Sequence, residues 1–348
     1  MANDPPTEEL ARIQREVVAI GASAGGVEAL NTLVSGLPPE LPAALVVAVH
    51  VLPTGRSMLP AILSRAGKLQ ATPARHGERL KRGRIYVAPP DHHLLIYDTQ
   101  TRLSHGPREN GHRPALDPLF RSVARAYGNR TVGIVLSGTL DDGTAGLQMI
   151  REHGGATVAQ DPADALYEGM PKSAIATGAV QYVVKAHEMA DLVCRLIEEP
   201  VDPHDGPPAE AADPMSGPML DRADAGAPRE GEVSGLTCPE CGGALWEHEE
   251  GGGVRFKCHV GHAYSPESMQ TEQGRALEAA LWGALRSLQE REDLFRRIAR
   301  RQPGSRSAAN FQRKADDVFH HAKAIERTIA ELGRTPPVAG EGADESAA

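Results

Sequence analysis

The strongest constraint on the fold lies in residues 17–200, where runs of apolar, β-branched residues alternate with stretches of helical periodicity. VVAIG, ALVVAVH, TVGIVLSG, ATVAQ and YVV are such runs, and VEALNTLVSGL and AGLQMIREHG lie between them. A strand with one wet face would alternate polar and apolar residues. Strands that are apolar throughout are buried on both faces, which points to a parallel sheet covered by helices on each side. The expected fold class is α/β, a doubly wound parallel sheet. The segment RIYVAPPDHHLLIYDTQTRLSHG breaks the pattern with short strands and turns, and reads as a hairpin inserted on that frame. Hydrophobic residues make up 41% of the chain but aromatics only 4%, so the core must be aliphatic.

A chain of 348 residues has room for more than this domain, placed at 16–199. Residues 200–233, rich in Pro, Ala, Gly and Asp, cannot bury enough apolar surface to offset chain entropy and read as a flexible linker. A small cysteine-bearing module is expected at 234–268 and a helical hairpin at 270–333. Leu277, Leu281, Leu285 and Leu288 mark one face of its first helix. Phe311, Ala315, Val318, Ala322, Ile325, Ile329 and Leu332 mark the second, with QPGS between. Residues 1–15 and 334–348 read as disordered. The acidic start MANDPPTEEL and the absence of any long apolar run predict neither a signal peptide nor a membrane span, hence a cytoplasmic chain. The net charge of −9 argues against nucleic acid as a general partner. The basic stretch Arg296, Arg297, Arg300, Arg301, Arg306, Arg313 and Lys314 reads as a solvated face, with docking of an acidic partner, or of nucleic acid through the cysteine module, as its alternative uses.

Two readings compete for the turn GASAGG. A dinucleotide-binding turn would need glycine where Ser23 stands, because a side chain there blocks a pyrophosphate, and an acidic residue where the next strand ends in His50. The alternative is G-x-S-x-G, a nucleophilic serine between a strand and a helix. Such a serine needs a base, and the base needs an orienting carboxylate. Parallel sheets carry their chemistry at the C-terminal strand ends. ALVVAVH delivers His50 there, and TVGIVLSG delivers the turn TLDDG with Asp141 and Asp142. The order Ser, His, Asp is not that of α/β-hydrolases, where the acid precedes the histidine.

Cys238-x2-Cys241 and Cys258-x3-His262 have the spacing of a tetrahedral zinc site. His259 competes with His262 for the fourth position. Four protein ligands leave none open, so the zinc would be structural, and a module this small needs such a staple. Cys194, within DLVCRLI, reads as a core residue.

The motifs IGASAGG, VHVLPTG, YVAPPDHHL, HRPALDPLF, VLSGTLDDGTAG and EGMPKSAI follow one another across residues 15–190. In this the chain resembles the catalytic domain of CheB-type protein-glutamate methylesterases. The resemblance implies a doubly wound parallel sheet, Ser23 as nucleophile, His50 as general base and then acid, and Asp142 rather than Asp141 as the orienting carboxylate. It implies backbone amides at Thr139 and Ala24 as oxyanion donors and no cofactor for catalysis. The implied substrates are glutamyl methyl esters on the cytoplasmic helices of methyl-accepting chemotaxis receptors, or on another methylated signalling protein. Glutamine deamidation would use the same groups, and the receptor methyltransferase and kinase of the pathway would be partners. Three positions depart from the family pattern: Ala24 stands for a common Thr, Thr139 for Met and Leu140 for Gly. Only 16 residues precede the first strand, so regulation through a receiver domain of its own is not expected. The segment from CPECGG onward resembles extensions found on stand-alone family members. The alternative function is a catalytically weak scaffold that holds a partner through the cysteine module and hairpin.

Overall fold

The computed structural model describes residues 13–55, 57–202, 231–250, 252–301 and 303–332. Nearly all of the expected disordered ends and most of the expected linker lie outside these residues. The chain divides into two units, 1–270 and 271–348, each taken by itself below.

The first unit is built on a seven-stranded sheet. Its strands are β1 (Val17–Ala22), β2 (Ala44–Val49), β3 (Gln70–Pro73), β4 (Arg84–Val87), β7 (Thr131–Val135), β8 (Ala156–Gln160) and β9 (Tyr182–Val184). Their order across the sheet is β3-β4-β2-β1-β7-β8-β9, and every pairing is parallel. All six residues of β1 and of β2 are buried, which accounts for their unbroken apolar sequences. Helices α1 (Gly26–Gly36), α2 (Leu59–Ala66) and α6 (Met189–Glu198) cover one face, where Leu30, Leu33, Leu63 and Val193 meet Ile20, Leu45 and Val47. Helices α3 (Leu116–Tyr127), α4 (Thr144–Glu152) and α5 (Gly169–Ala176) cover the other, where Leu116, Phe120 and Ile150 meet Ala19, Val46 and Tyr86. Each fully buried aliphatic side chain here contributes about 1.5–3 kcal/mol relative to exposure.

The chain leaves β1 for β2 on one side and reaches β7 on the other, so the direction of winding switches between β1 and β7. In such sheets the crevice beyond the strand ends at that point is where ligands bind. The segment expected as an inserted hairpin divides. RIYV is β4, a central member of the parallel sheet. The hairpin itself is β5 (His93–Tyr97) with β6 (Gln100–Ser104), turning at Asp98 and Thr99, whose φ angles of 40° and 64° are the positive pair that a two-residue hairpin turn requires.

Residues 231–270 add a four-stranded antiparallel sheet, β10 (Glu232–Thr237), β11 (Ala244–Glu250), β12 (Gly253–Cys258) and β13 (Ala263–Tyr264). Leu245, Tyr264 and Met269 form its small apolar cluster with Cys238 and Cys258. Helix α7 (Pro266–Arg301) begins directly after β13.

The second unit holds the remainder of α7 and α8 (Arg306–Leu332). Phe295 and Phe311 approach to 5.9 Å between ring centroids, and Leu285, Ala315, Val318 and Ala322 are buried. Leu277, expected on the packed face, is instead 51% exposed. Helix α8 has 27 residues against 36 in α7. Among the described residues no helix is long and apolar enough to cross a membrane.

Candidate active site

Three strand ends meet at the switch point. Ser23 directly follows β1, His50 follows β2, and Asp142 lies in the turn between β7 and α4. Backbone hydrogen bonds lock these ends together: the Ser23 amide donates to Ser137 O at 3.0 Å, and the His50 amide donates to Ala22 O at 3.2 Å. Ser23 Oγ lies 3.0 Å from His50 Nδ1, and His50 Nε2 lies 2.7 Å from Asp142 Oδ2. The imidazole is reversed relative to the serine-protease arrangement, in which Nε2 faces the serine. His112 stacks flat on it, with ring centroids 3.7 Å apart and planes within 7°, and fixes the ring plane. His112 is itself held by its Nδ1, 2.7 Å from Asn110 O.

The turn around Ser23 depends on two glycines. Gly25 caps α1 with φ 68°, a left-handed conformation that glycine adopts without steric cost. Gly138 passes so close that an added Cβ would stand 2.0 Å from Met170 Sδ and 2.8 Å from Ser23 Cβ. Any side chain there would displace the serine. Ser23 is not among the residues with positive φ, so the left-handed step of the strand-to-helix turn is made at Gly25.

Asp142 is 2% exposed and accepts four hydrogen bonds. Besides His50, Asn110 Nδ2 donates to Oδ1 at 2.9 Å, the Leu116 amide to Oδ2 at 2.8 Å, and the Asp117 amide to Oδ1 at 3.3 Å. The two amides belong to the first turn of α3, so the carboxylate also sits at the positive end of a helix dipole. Burial opposes ionisation of Asp142. The hydrogen bond and charge of His50, the Leu116 amide and the charge of His112 outweigh it and hold its pKa well below the usual carboxylate range.

Asp141, one residue earlier, points elsewhere: its Oδ1 accepts from Ser265 Oγ at 2.8 Å. Burial pushes its pKa up to about 7. Asp117 is fully buried and is pushed up to about 6, by burial first and also by the charge of Asp142, with Arg255 opposing.

Ala24 and Thr139 are exposed on either side of Ser23, and neither amide has a hydrogen-bond partner among the described residues. Both can donate to an incoming oxygen. Leu140, where the family pattern has glycine, has φ 62°. A left-handed leucine is strained, and its carbonyl is tied down by Ser173 Oγ at 3.3 Å.

Cys238, Cys241, Cys258 and His262 bring one ligand atom each within 4.8 Å of one another. Cys241 Sγ to Cys258 Sγ is 3.7 Å, Cys238 Sγ to His262 Nδ1 is 3.7 Å, and Cys258 Sγ to His262 Nδ1 is 3.5 Å. A tetrahedron with Zn–S of about 2.3 Å and Zn–N of about 2.0 Å has edges of about 3.5–3.8 Å, which these three separations match, and the donor set of three thiolates and an imidazole suits zinc. Glu240 Oε2 lies 3.6 Å from His262 Nε2, beyond hydrogen-bond distance but on the side where such histidines commonly face a carboxylate. His259 is exposed and outside the cluster. Cys194 packs half-buried against the α1/α2/α6 core.

Asn110 and His112 were not singled out by the sequence. Their only signal was position, His112 opening the HRPALDPLF motif and Asn110 standing two residues before it.

A family profile described as CheB methylesterase matches residues 18–193. A protein-glutamate methylesterase/protein-glutamine glutaminase of Anaeromyxobacter dehalogenans (strain 2CP-C) is 41% identical over 174 residues, which are 50% of this chain and 51% of that protein. The chain thus spans about half the length of that relative. A protein of Leptospira interrogans serovar copenhageni, named "Putative protein-glutamate methylesterase/protein-glutamine glutaminase", is 37% identical over 182 residues, 52% of this chain and 94% of its own length. Among solved structures, the CheB methylesterase catalytic domain of Thermotoga maritima superposes with a TM-score of 0.51 at 31% identity, covering 53% of this chain and all of that one.

The strain at Leu140 has a measurable consequence. Relief of a left-handed leucine is worth about 1–2 kcal/mol, and the freedom glycine gains in the unfolded chain takes back about 0.4–1 kcal/mol. Thermal unfolding should therefore find Leu140→Gly as stable as the parent or up to about 1.6 kcal/mol more stable. Leu140→Val, with a β-branched side chain at positive φ, should be destabilised by about 1 kcal/mol or more. Equal melting temperatures for the two variants would contradict a left-handed residue 140.

Proposed function

Because the chain belongs to the CheB methylesterase family, we propose that it hydrolyses glutamyl methyl esters on a methylated signalling protein through Ser23, His50 and Asp142. The observation that carries this reading is the unbroken hydrogen-bonded path from Ser23 Oγ through the His50 ring to a buried, ionised Asp142. With Nε2–H donating to Asp142, Nδ1 is bare and can accept the serine proton. Ser23 Oγ attacks the ester carbonyl while Nδ1 takes its proton, and Asp142 stabilises the resulting imidazolium. The imidazolium then protonates departing methanol. Water, losing its proton to the same nitrogen, hydrolyses the acyl-serine. The Ala24 and Thr139 amides are the proposed oxyanion donors, worth roughly 3 kcal/mol each. A glutamine side chain presents the same carbonyl with ammonia as leaving group, so deamidation needs no further group.

The proposed substrate class is the helical cytoplasmic region of methyl-accepting chemotaxis receptors. Exposed apolar side chains support a protein substrate. Leu52 (79% exposed) and Met58 follow His50, and Leu166 (72% exposed) and Tyr167 lie in the loop that packs on Gly25 and Gly138. Residues of this kind beside a reactive serine suit the apolar flank of a helix better than a small soluble ester. The cysteine cluster is proposed to hold one zinc ion whose contribution is folding energy.

Three measurements test this. Methanol release from a methylated receptor fragment should vanish in Ser23→Ala, and Asp142→Asn should lower kcat by up to about 10⁴-fold with KM little changed. Undiminished release by Ser23→Ala would remove the serine from the mechanism. The purified chain should carry one zinc per molecule, lost in Cys258→Ser, and metal-free protein with intact reduced cysteines would refute the site. Leu52→Ala with Leu166→Ala should raise KM for the receptor fragment several-fold while leaving hydrolysis of p-nitrophenyl acetate unchanged. A parallel change in both substrates would count against a docking role.

A further inference from the structure

Asn110 is 2% exposed, has φ 52°, and has every polar group engaged. Its amide donates to Ala263 O at 2.8 Å, and its carbonyl accepts from His112 Nδ1. Its Nδ2 donates to Asp142 Oδ1 and, at 3.1 Å, to Asp117 Oδ2. Its Oδ1 accepts from the Ser265 amide at 3.0 Å and from Ser268 Oγ at 2.9 Å. One half of this residue therefore holds the proposed triad carboxylate and the ring stacked on His50. The other half is held by residues 263–268, which belong to the cysteine module and the start of α7.

Those partners are themselves rigid. Ser265 caps α7, with Pro266 in the first helical position. The Ser268 amide donates to Ser265 Oγ at 3.0 Å, and the Ser265 amide donates in return to Ser268 Oγ at 2.9 Å, a reciprocal box. Each hydroxyl has one proton left, and both point into the α/β domain. Ser268 Oγ–H goes to Asn110 and Ser265 Oγ–H goes to Asp141. The Ala263 amide adds a backbone bond to Arg108 O at 3.3 Å, so the strand that leads from the His262 knuckle is paired to the segment carrying Asn110.

A second contact reaches the same place independently. Arg255, on β12 and 4% exposed, donates to Asp117 Oδ2 at 3.1 Å and lies 3.6 Å from both Glu109 and Glu250. Asp117 is fully buried, and its amide is one of the donors to Asp142. Without Arg255 two carboxylates would share Asn110 Nδ2, with fewer cations to keep them apart.

Taking the hydrolase reading above as given, we infer that the cysteine module is a working part of the hydrolytic site. Ser265 and Ser268 position Asn110, Arg255 positions Asp117, and together they hold Asp142 in line with His50. They are positioning residues, since none touches the reacting atoms. The four-ligand knuckles then matter to catalysis at a distance, because they fix the loop from Cys258 to Ser268 that carries the contact. A helix cap and an interface that merely stabilise the chain would be the plainer account. That account predicts variants that melt earlier but turn over normally once folded.

The test uses the full chain with zinc bound, and reads two reactions that do not depend on the identity of the receptor. These are the rate of Ser23 labelling by a fluorophosphonate and the kcat and KM for p-nitrophenyl acetate. Zinc per molecule and the melting temperature are recorded for each variant. Ser265→Ala with Ser268→Ala, and separately Arg255→Met, should keep one zinc per molecule and lose about tenfold to a hundredfold in labelling rate and in kcat, with KM nearly unchanged. Ser268→Thr, which keeps the hydroxyl, should restore most of the rate relative to Ser268→Ala. Removing zinc from the parent with a chelator should expose three titratable thiols beyond Cys194 and slow Ser23 labelling reversibly. Variants that remain folded and zinc-loaded yet label at the parental rate would overturn the inference. So would zinc removal that frees the thiols without slowing labelling. A parent whose Ser23 is never labelled would instead overturn the hydrolase reading itself.

Discussion

Asp142 is an ionised carboxylate with 2% of its surface exposed, and taking such a charge out of water costs several kcal/mol unless other dipoles replace the lost hydration. The replacement determines what surrounds it. The amides of Leu116 and Asp117 come free because a helix start has no internal partners for its first N–H groups. This requires α3 to begin where the β7–α4 turn ends, and the aliphatic face of α3 on the sheet secures it there. Asn110 and the His50 ring supply the remaining donors. The alignment of His50 with Ser23 thus follows from the solvation of a buried charge.

The adjacent carboxylates Asp141 and Asp142 show how environment separates two chemically identical groups. Asp142 accepts four hydrogen bonds, two of them from a helix terminus, and stays ionised far into the acid range. Asp141 has a single serine hydroxyl, Glu267 and Asp117 as like-charged neighbours, and a pKa pushed up to about 7. Two carboxylates of low pKa side by side would repel each other. The two carboxyls, adjacent in the chain, are set by different surroundings: burial, Glu267 and Asp117 raise one, while His50, the Leu116 amide and His112 lower the other against its burial.

What the sequence revealed follows from which features are local. Ser23, His50 and Asp142 could be proposed together because Ser23 and His50 directly follow strands, and Asp142 lies in the turn after one, whose unbroken apolar runs are visible, and parallel strands aim those ends at one rim. The parallel sheet was legible for the same reason. Strand β3 was not, since QATP is four residues long, half exposed and ends in proline, a composition that reads as a turn. RIYV was placed in the wrong sheet because a four-residue run carries no information about its partner. Asn110 stayed invisible because its role comes from contacts 32 and 155 residues further along the chain, with no periodicity to mark them. Leu140 was the exception among loop residues. The resemblance puts a glycine at that position, which raises the question of positive φ, and the loop does turn through φ 62° there.

The contact between the cysteine module and the α/β domain is almost wholly polar. The module's apolar cluster of Leu245, Tyr264 and Met269 is separate from the two clusters that flank the main sheet. The polar contacts that cross the boundary include Arg255 to Asp117 and Glu109, Arg121 to Glu250, Arg108 to Glu240, Ser265 to Asp141, the Ala263 amide to Arg108 O, and the Asn110 set. Apolar contacts tolerate sliding, because burial energy depends weakly on direction. Hydrogen bonds between buried groups do not: a displacement of 1 Å strands donors and acceptors that have no water to turn to. An interface of this kind adds little net stability for its size and specifies one geometry closely. A site that needs Asp142 within hydrogen-bonding reach of His50 has use for such a constraint, and Asn110 applies it from both sides of the boundary.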